Sequence, residues 1–147
     1  MGYQYRFQKV LDLKENEKEK SLADYNQSVQ DFEQVAEKLY DCLKRKEVLE
    51  TSTLNKLNGG MSVQEIRHFQ QFVTNIEKTI THYQKLVMLT RNKMNEMQVK
   101  LMQKNIEVKK YENMKEKHLN VYLDDLKVVE NKFMDDLSIQ SYMNARN

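Results

Sequence analysis

The stretch Leu57-Asn58-Gly59-Gly60-Met61-Ser62-Val63-Gln64-Glu65 decides how this chain folds. It holds two of the three glycines in a 147-residue sequence that has no proline. A long helical pattern reaches Lys56 and Leu57 from upstream; Gly59 is expected to take the left-handed conformation of a helix C′ residue, and Gly60 to extend the bend. Downstream, Ser62 and Glu65 form a Ser-x-x-Glu capping box, with Met61 and Ile66 at the positions of a hydrophobic staple. One helix stops and another starts, so two helices must return alongside each other.

Working outward, the composition is that of thin helix seams rather than a thick globular core. Charged residues make up 31% and hydrophobic residues 39%, with nine Met, no Trp and a net charge of +2; the mean hydropathy is −0.83. Disorder is the competing reading of so polar a chain, and the helical period of its apolar residues argues against it. So small a net charge makes no electrostatic case for nucleic acid as the main partner or for direct membrane insertion. The single cysteine, Cys42, cannot form an intrachain disulfide, and Met1-Gly2-Tyr3-Gln4-Tyr5-Arg6 lacks the apolar core of a signal peptide. No run approaches the roughly 20 apolar residues that cross a bilayer. The expectation is a soluble, cytoplasmic protein.

The fold class read from this pattern is all-α, an antiparallel two-helix coiled-coil hairpin with an extended C-terminal helix. It is taken as a single domain over 1–147, with arm one about 4–57, the turn 58–62 and arm two about 63–140. In arm one, Leu22, Tyr25, Val29, Phe32, Ala36, Leu39 and Leu43 alternate in steps of three and four, a heptad seam. Phe7 and Leu11 extend it toward the N-terminus, where Lys14 and Lys18 fall on core positions and weaken it. In arm two, Ile66, Phe69, Val73, Ile76, Ile80, Tyr83, Val87, Thr90, Met94, Met97 and Leu101 hold the spacing without a break. Beyond them the seam thins to Val108, Tyr111 and Tyr122, with Lys104, Lys115 and His118 between.

At 1.5 Å per residue the arms are roughly 80 and 110 Å long and cannot match end to end. Folding at the glycines brings Leu43 near residue 78, Tyr25 near Glu96 and Phe7 near Met114, leaving the last stretch of arm two without a mate. That overhang carries a stripe of Leu119, Tyr122, Leu126, Val129, Phe133 and Leu137. An isolated helix with its apolar face wet is marginal in water, so the stripe marks either a frayed tail or a segment that another protein buries.

Beside the turn the arms mismatch in a second way. Arm two carries Phe69, Val73 and Ile76 on the seam with Phe72 and Leu86 off it, whereas arm one offers Lys46, Glu50 and Thr53 at core positions. Its apolar Tyr40, Val48, Leu49 and Leu54 are out of register. Either a stutter repacks them, the expectation for Val48 and Leu54, or the outer face is a docking patch, the expectation for Tyr40 and Phe72.

Enzyme chemistry is absent in recognisable form: there is no phosphate-cradling glycine loop, no Cys/His metal cluster and no nucleophile with a base. His68, His82 and His118 are scattered, and Cys42 reads as a small apolar helix residue. Met88, Met94, Met97 and Met102 read as seam and near-seam packing. Asp124 with Asp125, and Asp135 with Asp136, read as a solvated face. No cofactor, metal or enzymatic activity is expected. Between Lys85 and Lys117 stand nine Lys or Arg against four Glu. Cross-hairpin pairing with Glu15, Glu17, Glu19 and Asp24 accounts for that excess better than a phosphate-tracking surface does.

Three features in order resemble a known family. The opening Tyr5-Arg6-Phe7-Gln8-Lys9-Val10-Leu11-Asp12-Leu13-Lys14-Glu15, the Gly59-Gly60 turn, and Gln70-Gln71-Phe72 followed by Ile76, Glu77 and Tyr83 are similar to the FliJ-type flagellar export proteins over nearly the whole chain. The resemblance implies a stalk-like coiled coil whose end with both termini enters and activates the hexameric flagellar export ATPase ring. It further implies binding to the cytoplasmic domain of the export-gate membrane protein, escort of flagellar substrate chaperones, and a place at the inner face of the cell membrane. Carried onto this chain, ATPase-ring binding falls to Phe7, Val10, Leu11, Tyr122, Leu126, Val129 and Phe133. Export-gate binding falls to Tyr40, Cys42, Leu49, Phe72, Ile76 and Tyr83, although Cys42 and Arg45 stand where relatives carry larger apolar or aromatic groups. The alternative is a structural scaffold that dimerises through its tail.

Overall fold

The computed structural model describes residues 2–146, and its two helices are α1, Gln8–Asn58, and α2, Val63–Arg146. Neither helix contains a glycine or a proline, so nothing in either interior breaks the i→i−4 ladder. No strand forms among the described residues. The fold is the all-α hairpin expected from the sequence.

The turn follows the sequence closely but exchanges the roles of its two glycines. Gly59 and Gly60 donate their N–H groups to the carbonyls of Lys56 and Leu57 at 3.1 and 3.2 Å, which tightens the last turn of α1. The left-handed residue is Gly60, with φ of 90°, and not Gly59. Gly59 instead prolongs the helical winding by one residue. At the restart, Glu65 N–H donates to Ser62 Oγ at 3.2 Å and Ile66 N–H to the Ser62 carbonyl at 3.1 Å, so Ser62 caps α2. Arm one begins later than expected, at Gln8, because the residues before it fold back as an aromatic segment instead of adding a helical turn.

The chain forms two compact units, Met1–Glu19 with Gln103–Asn147, and Lys20–Met102. In the second unit the helices run antiparallel, with Lys46 Nζ 3.4 Å from Glu77 Oε1, two residues from the expected register. In the first unit Lys14 Nζ meets Glu107 Oε2 at 3.2 Å and Lys104 Nζ meets Glu17 Oε2 at 3.3 Å, again antiparallel. The ion pair with Glu107 raises the pKa of Lys14, and the hydrogen bond from Lys104 lowers that of Glu17. Two core-position lysines are therefore accommodated by carboxylates of the opposite helix, and of the acidic residues expected to meet the basic stretch, Glu17 takes that part.

The seam of α2 runs as expected: Ile80, Met97 and Val108 are buried, and Ile66, Phe69, Val73, Ile76, Tyr83, Val87, Thr90, Met94 and Leu101 are half-buried. The seam of α1 is half right. Tyr25, Phe32 and Leu39 line it, but their partners are Ser21, Ser28, Val35, Cys42 and Leu49, each one residue before the expected Leu22, Val29, Ala36 and Leu43 and the following Glu50. Leu22 and Leu43 are exposed, whereas Val29 and Ala36 remain half-buried at the flank. This phase holds steps of four and three from Phe7 through Leu11, Lys14 and Lys18 to Thr53 without a stutter. From Ser21 to Cys42 it also alternates small with bulky side chains, a pattern that favours close approach of the two backbones.

The two buried hydroxyls, of Ser28 and Thr53, are satisfied locally. Ser28 donates to the Tyr25 carbonyl at 2.6 Å, and Thr53 to that of Leu49 at 2.8 Å. The mismatch beside the turn thus resolves with Leu49 on the seam, while Val48 at 61% and Leu54 at 63% exposure are not repacked inward. Met88 and Met102, expected near the seam, are exposed as well.

Candidate functional site

Two surfaces carry the residues expected to meet partners, one in each unit. In the unit built from residues 1–19 and 103–147, the non-helical N-terminal segment closes over α2 as an aromatic clasp. Tyr5 Oη donates to the Tyr111 carbonyl at 3.1 Å, and Tyr3 Oη to that of Lys115 at 3.4 Å. The Tyr5 ring lies edge-on to Phe7 at 5.9 Å and to His118 at 5.8 Å, and Tyr3 meets Tyr122 at 5.4 Å. Arg6 stands over the Phe7 ring at 5.6 Å. Burial raises the pKa of the Tyr5 hydroxyl, in keeping with its place against Leu11 and Val108, 3% and 2% exposed.

The clasp changes what the expected ATPase-facing residues can offer. Leu11 is buried, and Phe7, Val10 and Tyr122 are half-buried, so much of their apolar surface is already used inside the hairpin. Leu126, Val129 and Phe133 are exposed, as is every residue from Leu123 to Arg146. Tyr3 and Tyr5 were not among the expected site residues. Their signal in the sequence is the run of aromatic residues Tyr3, Tyr5 and Phe7 just before the helix, with Arg6 and Phe7 in the turn that leads into α1.

In the unit Lys20–Met102 the six expected gate-facing residues divide. Tyr40 and Phe72 are exposed; Cys42, Leu49, Ile76 and Tyr83 are half-buried on the seam. Lys44 Nζ covers the Tyr40 ring at 5.7 Å, and His82 packs on Tyr83 at 5.4 Å. The register set by Lys46 and Glu77 places Tyr40 opposite residue 83, about 16 Å along the seam from Phe72. The two exposed rings therefore belong to separate patches. Among the described residues no group of three His, Cys, Asp or Glu is placed to hold a metal ion, and no helix is long and apolar enough to cross a membrane.

The family model described as flagellar FliJ protein matches residues 3–147. The chain belongs to the FliJ family. The flagellar FliJ protein of Bacillus subtilis (strain 168) is 57% identical over 143 residues, covering 97% of this chain and 97% of that protein. No solved structure matches the chain. In this FliJ chain the matched span includes both the aromatic clasp, from Tyr3, and the bare helix that follows Tyr122.

Proposed function

We propose that this chain is a non-enzymatic, stalk-like component of the flagellar protein export apparatus. In that reading its C-terminal helix enters the hexameric export ATPase ring and raises its activity. The observation that carries the reading is the helix from Leu123 to Arg146, whose stripe of Leu126, Val129, Phe133 and Leu137 has no cover in the chain. A wet stripe of this width is stable when a partner buries it. FliJ family membership supplies the flagellar setting. The clasp fits this role by fixing where the bare helix begins. Purified chain added to the export ATPase is expected to co-purify with it and increase ATP turnover; turnover unchanged at saturating chain overturns the proposal.

The same reading assigns the exposed Phe72 to the cytoplasmic domain of the export gate, and places the protein at the inner face of the cell membrane through that contact and not by insertion. Escort of substrate chaperones belongs to it as well. Because Phe72 lies on the solvent side of α2, its replacement by Asp leaves the seam intact. Phe72→Asp is expected to keep wild-type helicity and to weaken binding to the gate domain about tenfold or more. Equal affinity of the two proteins in a titration would remove Phe72 from that surface.

A further inference from the structure

The outer face of α2 carries a second heptad seam that packing within the chain does not use. Met88, Asn92, Asn95, Val99 and Met102 follow each other in steps of four, three, four and three, and all five are exposed. At 100° per residue they lie about 140° around the helix from the buried seam of Val87, Thr90, Met94, Met97 and Leu101. No charge falls on any of the five positions, although a solvated helix face in a chain this polar is ordinarily charged. On its two sides, each about 60° round the helix from the strip, stand Lys85 and Arg91, and the nearest carboxylate, Glu96, is held by Lys100 at 4.0 Å. The face is therefore an uncharged strip with a basic surround.

The chain also carries a complementary helix. The stripe of Leu126, Val129, Phe133 and Leu137 is exposed throughout, and residues 123–137 bear Asp124, Asp125, Glu130, Asp135 and Asp136 against Lys127 and Lys132. We propose that the C-terminal helix of one copy docks on the Met88–Met102 face of a second copy. Leu126, Val129 and Phe133 pack between Met88, Val99 and Met102, and the acidic flank of the tail meets the basic surround. Asn92 and Asn95 weaken such a contact while fixing its register, as polar groups at core positions do in coiled coils. Five seam positions make a small interface, so the association is weak and reversible. Any partner that buries the tail competes with it by mass action.

Sedimentation of the full chain over a range of concentrations, at low and high salt, tests this. The wild type is expected to self-associate reversibly, less so at high salt. Val99→Glu and Phe133→Glu, both at exposed helix positions, should keep the fold while each reduces association about tenfold or more. Mixing the two variants should restore it, because one supplies an intact tail and the other an intact face. A wild type that stays monomeric at every concentration overturns the proposal. So does association lost in only one variant, which would point to tail-on-tail or face-on-face pairing, and so does a mixture that fails to recover.

Discussion

A chain lacking residues 124–147 is expected to fold as the intact protein does and to lose its stimulation of the export ATPase. The first half of that expectation follows from burial. Every residue from Leu123 to Arg146 is exposed, so the deletion removes no buried or half-buried residue. Leu119, Tyr122 and the ring contact of Tyr3 with Tyr122 are kept, which a cut nearer His118 would sacrifice. Helical signal should fall only by the share of the deleted residues, with the unfolding midpoint of the remainder unchanged. The second half follows from the proposed role, because the deletion takes away Leu126, Val129 and Phe133 together. Turnover and co-purification measured beside the intact chain decide the matter: undiminished stimulation would place the ATPase contact elsewhere, on the clasp itself.

Replacing Val108 with Asp is expected to open the clasp. Val108 is the most enclosed residue described, at 2% exposure, and it sits with Leu11 and Tyr5 under the rings of Tyr3, Phe7 and Tyr111. A carboxylate there loses the apolar contact and is taken out of water among apolar side chains, a combination that costs about 3 kcal/mol or more. The cluster has few members and a thin seam around it, so the loss is felt locally. Amide exchange should accelerate at residues 8–14 and 108–115, and the near-ultraviolet signal of the ordered tyrosines should fall. Val108→Ala, which shortens the side chain without adding charge, should give a smaller change in the same direction. Exchange rates indistinguishable from wild type in the Asp variant would mean that the clasp is not held by this core.

Some features were fully legible from residue types. The absence of proline, the two glycines at 59 and 60 and the capping Ser62 dictated a helical hairpin, since helices form and end through contacts within a few residues. The unbroken apolar spacing from Ile66 to Leu101 gave the α2 seam correctly for the same reason. Arm one misled because Leu22, Val29, Ala36 and Leu43 are more apolar, taken together, than the Ser21, Ser28, Val35 and Cys42 that line the seam. Counting hydrophobic residues cannot reveal that a small side chain is wanted opposite a large one. The clasp was missed because Tyr3 and Tyr5 precede the helix, where no periodicity announces which face they cover. The site residues divide along the same line: the exposed tail stripe could be read from chain length and register, but not that Leu11 is spent inside.

What the sequence by itself determined was the class of fold, the place of the turn, the register to within a residue or two, and the surplus of amphipathic helix beyond it. Each of these is set by local chemistry or by simple length. What only the tertiary structure decided was the phase of the α1 seam, the accommodation of Lys14 and Lys104 by Glu107 and Glu17, the closing of Tyr3 and Tyr5 over α2, and the exposure of Met88, Val99 and Met102. These depend on which surfaces of two helices meet, and that choice is made by complementarity of shape and charge between residues far apart in the chain.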